Sequence, residues 1–100
     1  MGRKLPPKQL ELYKRCDEIL HYLWDPIGVR GIPGARDEYE SYLPQVFKLV
    51  LEGSSDSDVT EYLLQIEENS MGLSPKREHA ETTAQQLLEH REWIFGEDRP

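Results

Sequence analysis

The sequence predicts an all-α fold: a single-domain, four-helix bundle-like array with a long ordered loop between helices 1 and 2. Three observations point there. Apolar residues recur at steps of three and four in four separate segments, the spacing of one helix face. Clusters of Gly, Pro, Asp and Ser separate those segments. The chain has 100 residues, 37% of them hydrophobic, which is room for one domain with one modest core. Strand content near zero is expected, with frayed ends at about 1–5 and 97–100.

The first helix is expected from Pro6–Pro7 to about Trp24. Its stripe is Leu12, Tyr13, Cys16, Ile19, Leu20, Leu23 and Trp24, and a proline suits the first helical turn because its missing N–H has no helical partner to lose. Asp25-Pro26-Ile27-Gly28 fills a type I turn, and Pro26 drives Asp25 out of the helical region. The connection onward to Arg36 is long for two helices. Its aliphatics, Ile27, Val29 and Ile32, are expected to pack down as a compact loop. In the second helix Asp37 and Ser41 compete as N-cap. Starting at Ser41 puts Pro44 in the first turn, whereas starting at Asp37 puts it inside the helix at a cost of about 3 kcal/mol. Ser41 is therefore favoured, with a short turn at 37–40, a buried stripe of Tyr39, Leu43, Val46, Phe47 and Val50, and Gly53 as the left-handed terminator. The third helix opens on Ser55-Asp56-Ser57-Asp58, a hydroxyl cap with acids beside it. It continues through Val59, Tyr62, Leu63 and Ile66 and closes on Gly72, with Leu73 as a hydrophobic clip. The fourth opens on Ser74-Pro75 and runs through Ala80, Thr83, Ala84, Leu87, Leu88, Arg91, Ile94 and Phe95 to Gly96. Its early small residues predict close helix approach there.

Charge narrows the function classes. There are 12 basic and 19 acidic residues, for a formal charge of -7, which argues against nucleic-acid binding and against a polybasic membrane anchor. No apolar run approaches the roughly 18–20 residues that span a bilayer. The opening residues hold charges and no apolar h-region, so no secretory signal and a cytoplasmic location are expected. The acidity is concentrated in the middle: residues 37–73 carry 9 acidic side chains and one basic, Lys48. Such a segment is either a solvated face or a docking surface for a basic partner.

Little of the chemistry of catalysis is visible. Cys16, the only cysteine, lies on the apolar stripe of the first helix, where a buried inert thiol is expected. Pro26 makes it doubtful that His21 and Asp25 share a helix face. His79 and His90 are eleven residues apart, about 16 Å by helical rise, and their charged neighbours suggest surface positions. The carboxylates read as solvated helix ends and faces, and Asp56-Ser57-Asp58 lacks the glycine and closing glutamate of a calcium loop. No catalytic residue, metal ligand or cofactor is expected.

Trp24-Asp25-Pro26-Ile27-Gly28-Val29, followed a dozen residues later by Asp37-Glu38-Tyr39-Glu40, resembles the signature of the YugE-like family of small bacterial helical proteins. The resemblance covers about residues 10–73 and leaves the last helix unmatched. It implies a compact helical domain and no assigned reaction. The same residues explain themselves as a structural corner, with Trp24 covering the end of the bundle and the acids capping turns.

The expected function is a non-catalytic protein-interaction domain, in its most concrete form an immunity-like antagonist of a basic partner. Its acidic docking face would be Glu52, Asp56, Asp58, Glu61, Glu67 and Glu68. The alternative is a small-ligand-binding or enzyme-accessory domain using a pocket of Trp24, Asp25, Arg30, Arg36, Asp37, Glu38 and Tyr39, since long ordered loops often carry function. A homodimer through the last helix is a further expectation, with Ile94 on the core and Trp93 or Phe95 offered to the second subunit.

Overall fold

The computed structural model describes residues 5–29 and 31–96. Helix α1 spans Pro7–Ile19 and continues into a π-helical turn, Leu20–Trp24; α2 spans Leu43–Leu51; α3 spans Asp56–Gln65 and continues into a second π-helical turn, Ile66–Ser70; α4 spans Arg77–Phe95. No strand occurs among the described residues.

Side-chain contacts fix the topology. Tyr13 sets its ring edge on Phe47 at 5.1 Å and Trp24 meets Tyr42 at 6.5 Å, so α1 and α2 run antiparallel. Arg77 reaches Glu61 at 2.7 Å, while Asp56 and Trp93 line one groove at the other end of the pair, so α3 and α4 are antiparallel. His79 bonds the Leu23 carbonyl, while Arg15 and His90 share a surface cleft, which makes α4 antiparallel to α1 as well. The result is an up-down-up-down array in which α4 packs against both α1 and α3.

The local signals act largely as their chemistry dictates. Pro44 sits in the first turn of α2, although the helix begins at Leu43 rather than Ser41. The residues before it form successive tight turns, with Glu40 bonded to the Asp37 carbonyl and Tyr42 to that of Tyr39. At the other end, Gly53 takes φ +77, its N–H bonds the Val50 carbonyl at 3.0 Å, and the Ser54 N–H bonds that of Leu49 at 3.1 Å. These two bonds are a Schellman closure. Ser55 Oγ accepts the Asp58 N–H at 3.1 Å and caps α3. After the second π turn, Gly72 takes φ +66 and the Leu73 N–H reaches back to the Glu67 carbonyl at 2.8 Å.

Three expectations need correction. Helix α4 begins at Arg77, not at Ser74-Pro75, because the Lys76 N–H is taken by the Glu67 carboxylate at 3.0 Å; a side chain distant in the fold does what the serine was expected to do. The aliphatics of the long loop do not pack down together: Val29 is partly buried, but Ile27 and Ile32 are 42% and 52% exposed. Polar anchors hold that loop instead. Leu5, expected at a frayed edge, packs on the core. The expected fraying at 1–4 and 97–100 lies outside the described residues.

The core combines Leu12, Cys16, Leu20 and Trp24 with the whole expected α2 stripe, and with Val59, Leu63, Ala80, Ala84, Leu87 and Ile94. Tyr62 is only partly buried. Burial, with Asp17 adding, pushes the Cys16 thiol up to about 12, so it stays a protonated, unreactive packing group.

Candidate functional site

Two regions hold the residues singled out from sequence. The first is the corner where the two π turns meet. A π turn bonds each N–H five residues back, and here the Asp25 N–H reaches the Leu20 carbonyl at 3.0 Å just before Pro26 ends the helix. Trp24, in the first π turn, is 1% exposed. Its indole Nε1–H donates to Glu67 Oε2, in the second π turn, at 2.8 Å, and Glu67 Oε1 accepts the Lys76 N–H. One buried carboxylate thus ties the ends of α1 and α3 to the start of α4.

Asp25 takes φ +36, a left-handed conformation that aspartate tolerates better than most residues. Its Oδ1 accepts the Val29 N–H and the Tyr39 hydroxyl, both at 2.8 Å, and the Tyr39 oxygen accepts the Ile27 N–H at 3.2 Å. The Tyr39 ring packs on Trp24 with centroids 5.4 Å apart. Burial first, with Asp25 and Glu38 adding, raises the Tyr39 hydroxyl above its ordinary pKa against the lowering bond from Ile27. The loop is pinned at its far end by Arg36, which forms two parallel bonds to Asp17 at 3.1 and 3.2 Å and lies over the Tyr22 ring.

A cleft of about 430 Å³ opens beside this corner, lined by Trp24, Asp25, Pro26, Glu67, Leu73, Ser74, Lys76 and His79. The expected pocket is therefore corrected. Trp24 and Asp25 line the cleft. Arg36 is drawn to Asp17, Asp37 and Glu38 are exposed on the loop and do not line it, and Tyr39 is buried among the core side chains. Arg30 lies outside the described residues. Reasoning from sequence missed Glu67 and His79 here. His79 is half-buried rather than a surface group, and its Nε2 faces the Leu23 and Trp24 carbonyls at 2.8 and 3.0 Å. Both partners are acceptors, so Nε2 carries the hydrogen and caps the end of the first π turn. The Ser74-Pro75 pair after Gly72 hid both roles, because it offered a complete local account of the α4 start.

The second region is acidic. Glu52, Asp56, Asp58, Glu61 and Glu68 are exposed, as expected for a docking face. Glu67 is not part of it: at 2% exposure it belongs to the corner. The remaining five do not form one patch. Asp56 and Glu68 stand twelve residues apart, about 18 Å along the helix axis, and Glu61 is engaged by Arg77 at 2.7 Å. Asp56 instead shares a shallow groove of about 550 Å³ with Glu89, Glu92, Gln85, Leu88 and Trp93 of α4. Trp93 is 73% exposed, whereas Ile94 beside it is buried. Phe95 is half-buried with the Arg91 guanidinium 5.8 Å from its ring. Of the two aromatic residues expected at a partner surface, Trp93 alone stands out from it.

Among the described residues the architecture is all-α, and no helix is long and apolar enough to cross a membrane. No family model, no characterised protein and no solved structure matches the chain.

Proposed function

We propose that the chain is a non-catalytic protein-interaction domain that docks a basic protein through its acidic surface, in the manner of an immunity-like antagonist. The observation that carries this reading is the exposure of Glu52, Asp56, Asp58 and Glu68 with no ion pair among the described residues engaging them. A field of that sign speeds encounter with a basic partner and weakens as salt screens it. Capture from a lysate tests it with two baits, the wild-type chain and one carrying Gln or Asn at Glu52, Asp56, Asp58, Glu61 and Glu68. A basic protein held by the wild type at low salt, released at high salt and missed by the neutralised bait supports the reading. Equal retention by both baits, or retention of nothing, overturns it.

A second reading has one observation in its favour. The cleft beside Trp24 has about the volume of a small-molecule site. Its polar groups Glu67 Oε1, Glu67 Oε2 and His79 Nε2 are already engaged within the chain, which favours a structural role. Saturable thermal stabilisation by a metabolite, abolished by filling the cleft with Ser74→Trp, would move the function there.

A further inference from the structure

We propose that the groove between the start of α3 and the end of α4 seats an arginine-bearing segment of the basic partner, with the guanidinium stacked on Trp93. The proposal rests on the interaction-domain reading above and names where and how the contact is made. The groove has an apolar floor contributed by Leu88 and a single large aromatic wall, Trp93, 73% exposed. Three carboxylates, Asp56, Glu89 and Glu92, line it. Two side chains already border it: the Arg91 guanidinium lies 3.8 Å from Glu92, with its Nε donating to the Leu51 carbonyl at 3.2 Å and its Cζ 5.8 Å from the Phe95 ring, and the His90 ring meets Trp93 edge-on at 6.3 Å.

Charge complementarity selects the occupant. A second copy of this chain would bring two acidic rims together, with a formal charge of -7 on each chain. A purely apolar segment would cover the exposed carboxylates of Asp56 and Glu89 and offer them no opposite charge, which is costly. An arginine fits both parts of the groove at once. Its planar guanidinium stacks on an indole face and presents several N–H donors in its plane to carboxylates, and a lysine ammonium matches this geometry poorly.

The test uses capped hexa-arginine and hexalysine peptides as probes, titrated calorimetrically into the full chain, its Trp93→Ala and Trp93→Phe variants, and the neutralised variant described above. Trp93 is exposed, so its variants are expected to keep the wild-type melting temperature. The expected result is tighter binding of the arginine peptide than of the lysine peptide. Trp93→Ala should erase that preference with a loss of about 2- to 30-fold for arginine, the range of a cation–π contact, and Trp93→Phe should retain part of it. If both peptides bind the Trp93→Ala chain as they bind the wild type, while the neutralised variant binds neither, the groove proposal falls and the acidic-surface reading stands. If neither peptide binds the wild type, both fall. If the wild-type chain sediments as a dimer that Trp93→Ala dissociates, the groove belongs to a second copy and the proposal is overturned.

Discussion

The chain has two tryptophans, and they stand at opposite ends of α4 in opposite circumstances. Trp24 is 1% exposed, packed on Tyr39 and hydrogen-bonded to a carboxylate that is itself buried. Trp93 is 73% exposed in a groove lined with carboxylates. Around Trp24 the polar atoms are spent on holding three helix ends together. Around Trp93 the exposed carboxylates of Asp56, Glu89 and Glu92 present charge outward. The corner richest in conspicuous sequence is thus the more structural of the two, and the plainer end of the last helix is where a partner has room.

The contrast can be broken by substitution. The largest effect is expected from Trp24→Ala, which empties a core site and strips Glu67 of its indole donor; destabilisation of about 3–5 kcal/mol should appear in denaturant melts. A loss below about 1 kcal/mol would mean the corner is not what holds the bundle end. Glu67→Ala comes next. It orphans the buried Trp24 Nε1–H, which costs about 1–3 kcal/mol, and it releases the Lys76 N–H at the exposed start of α4. Hydrogen exchange should speed up first at the start of α4, and unchanged exchange there would separate Glu67 from the helix it is held to cap.

Tyr39→Phe is expected to cost about 1 kcal/mol, because Asp25 keeps its bond from Val29 while the Ile27 N–H loses its acceptor. It also sharpens a pH prediction. The folded state raises both the Tyr39 hydroxyl, from an ordinary value of 10.0, and the Cys16 thiol, from 9.0 to about 12. Raised values favour the protonated forms, so the stability these groups contribute is full below their ordinary values and is lost as pH climbs through the folded ones. The melting temperature should fall on the alkaline side above about pH 9, and Tyr39→Phe should flatten that fall. An identical alkaline limb in the variant would remove Tyr39 from the account. Smallest of all, Trp93→Ala should move stability by no more than about 0.5 kcal/mol. A larger loss would make Trp93 part of the fold and erase the contrast.

The helices were legible because they follow local rules. The α2 stripe, the Ser55 cap, the Gly53 and Gly72 closures and the placement of Pro44 depend on residues within a few positions of one another. The corner depends on residues far apart in the chain. Glu67 looked like half of a solvated acidic pair because only the fold shows that Trp24, 43 residues earlier, and the Lys76 amide converge on it. Its position in a π turn was hidden for the same reason, since hydrophobic periodicity does not report one wider turn. Arg36 shows the converse. It was expected to line a pocket with Asp25 and Asp37, yet Asp17, one helix away, offers two oxygens in the geometry a guanidinium prefers. The Trp93 groove was half legible: the amphipathic phase of α4 put Ile94 inside and left Trp93 or Phe95 for the outside, but nothing in the sequence paired Glu89 and Glu92 with Asp56.

The placement of the two indoles has an optical consequence. Fourteen residues of α4 separate His79, which caps the turn ending at Trp24, from Trp93, a distance of about 21 Å by helical rise. The sheltered indole emits toward the blue and the wetted one toward the red, so a single emission spectrum carries a separate signal from each end of the bundle. Caesium, drawn by the carboxylates, should extinguish the red component preferentially, whereas iodide is repelled by the same charges. Melting of the corner and occupation of the groove can thus be followed independently in one unlabelled sample.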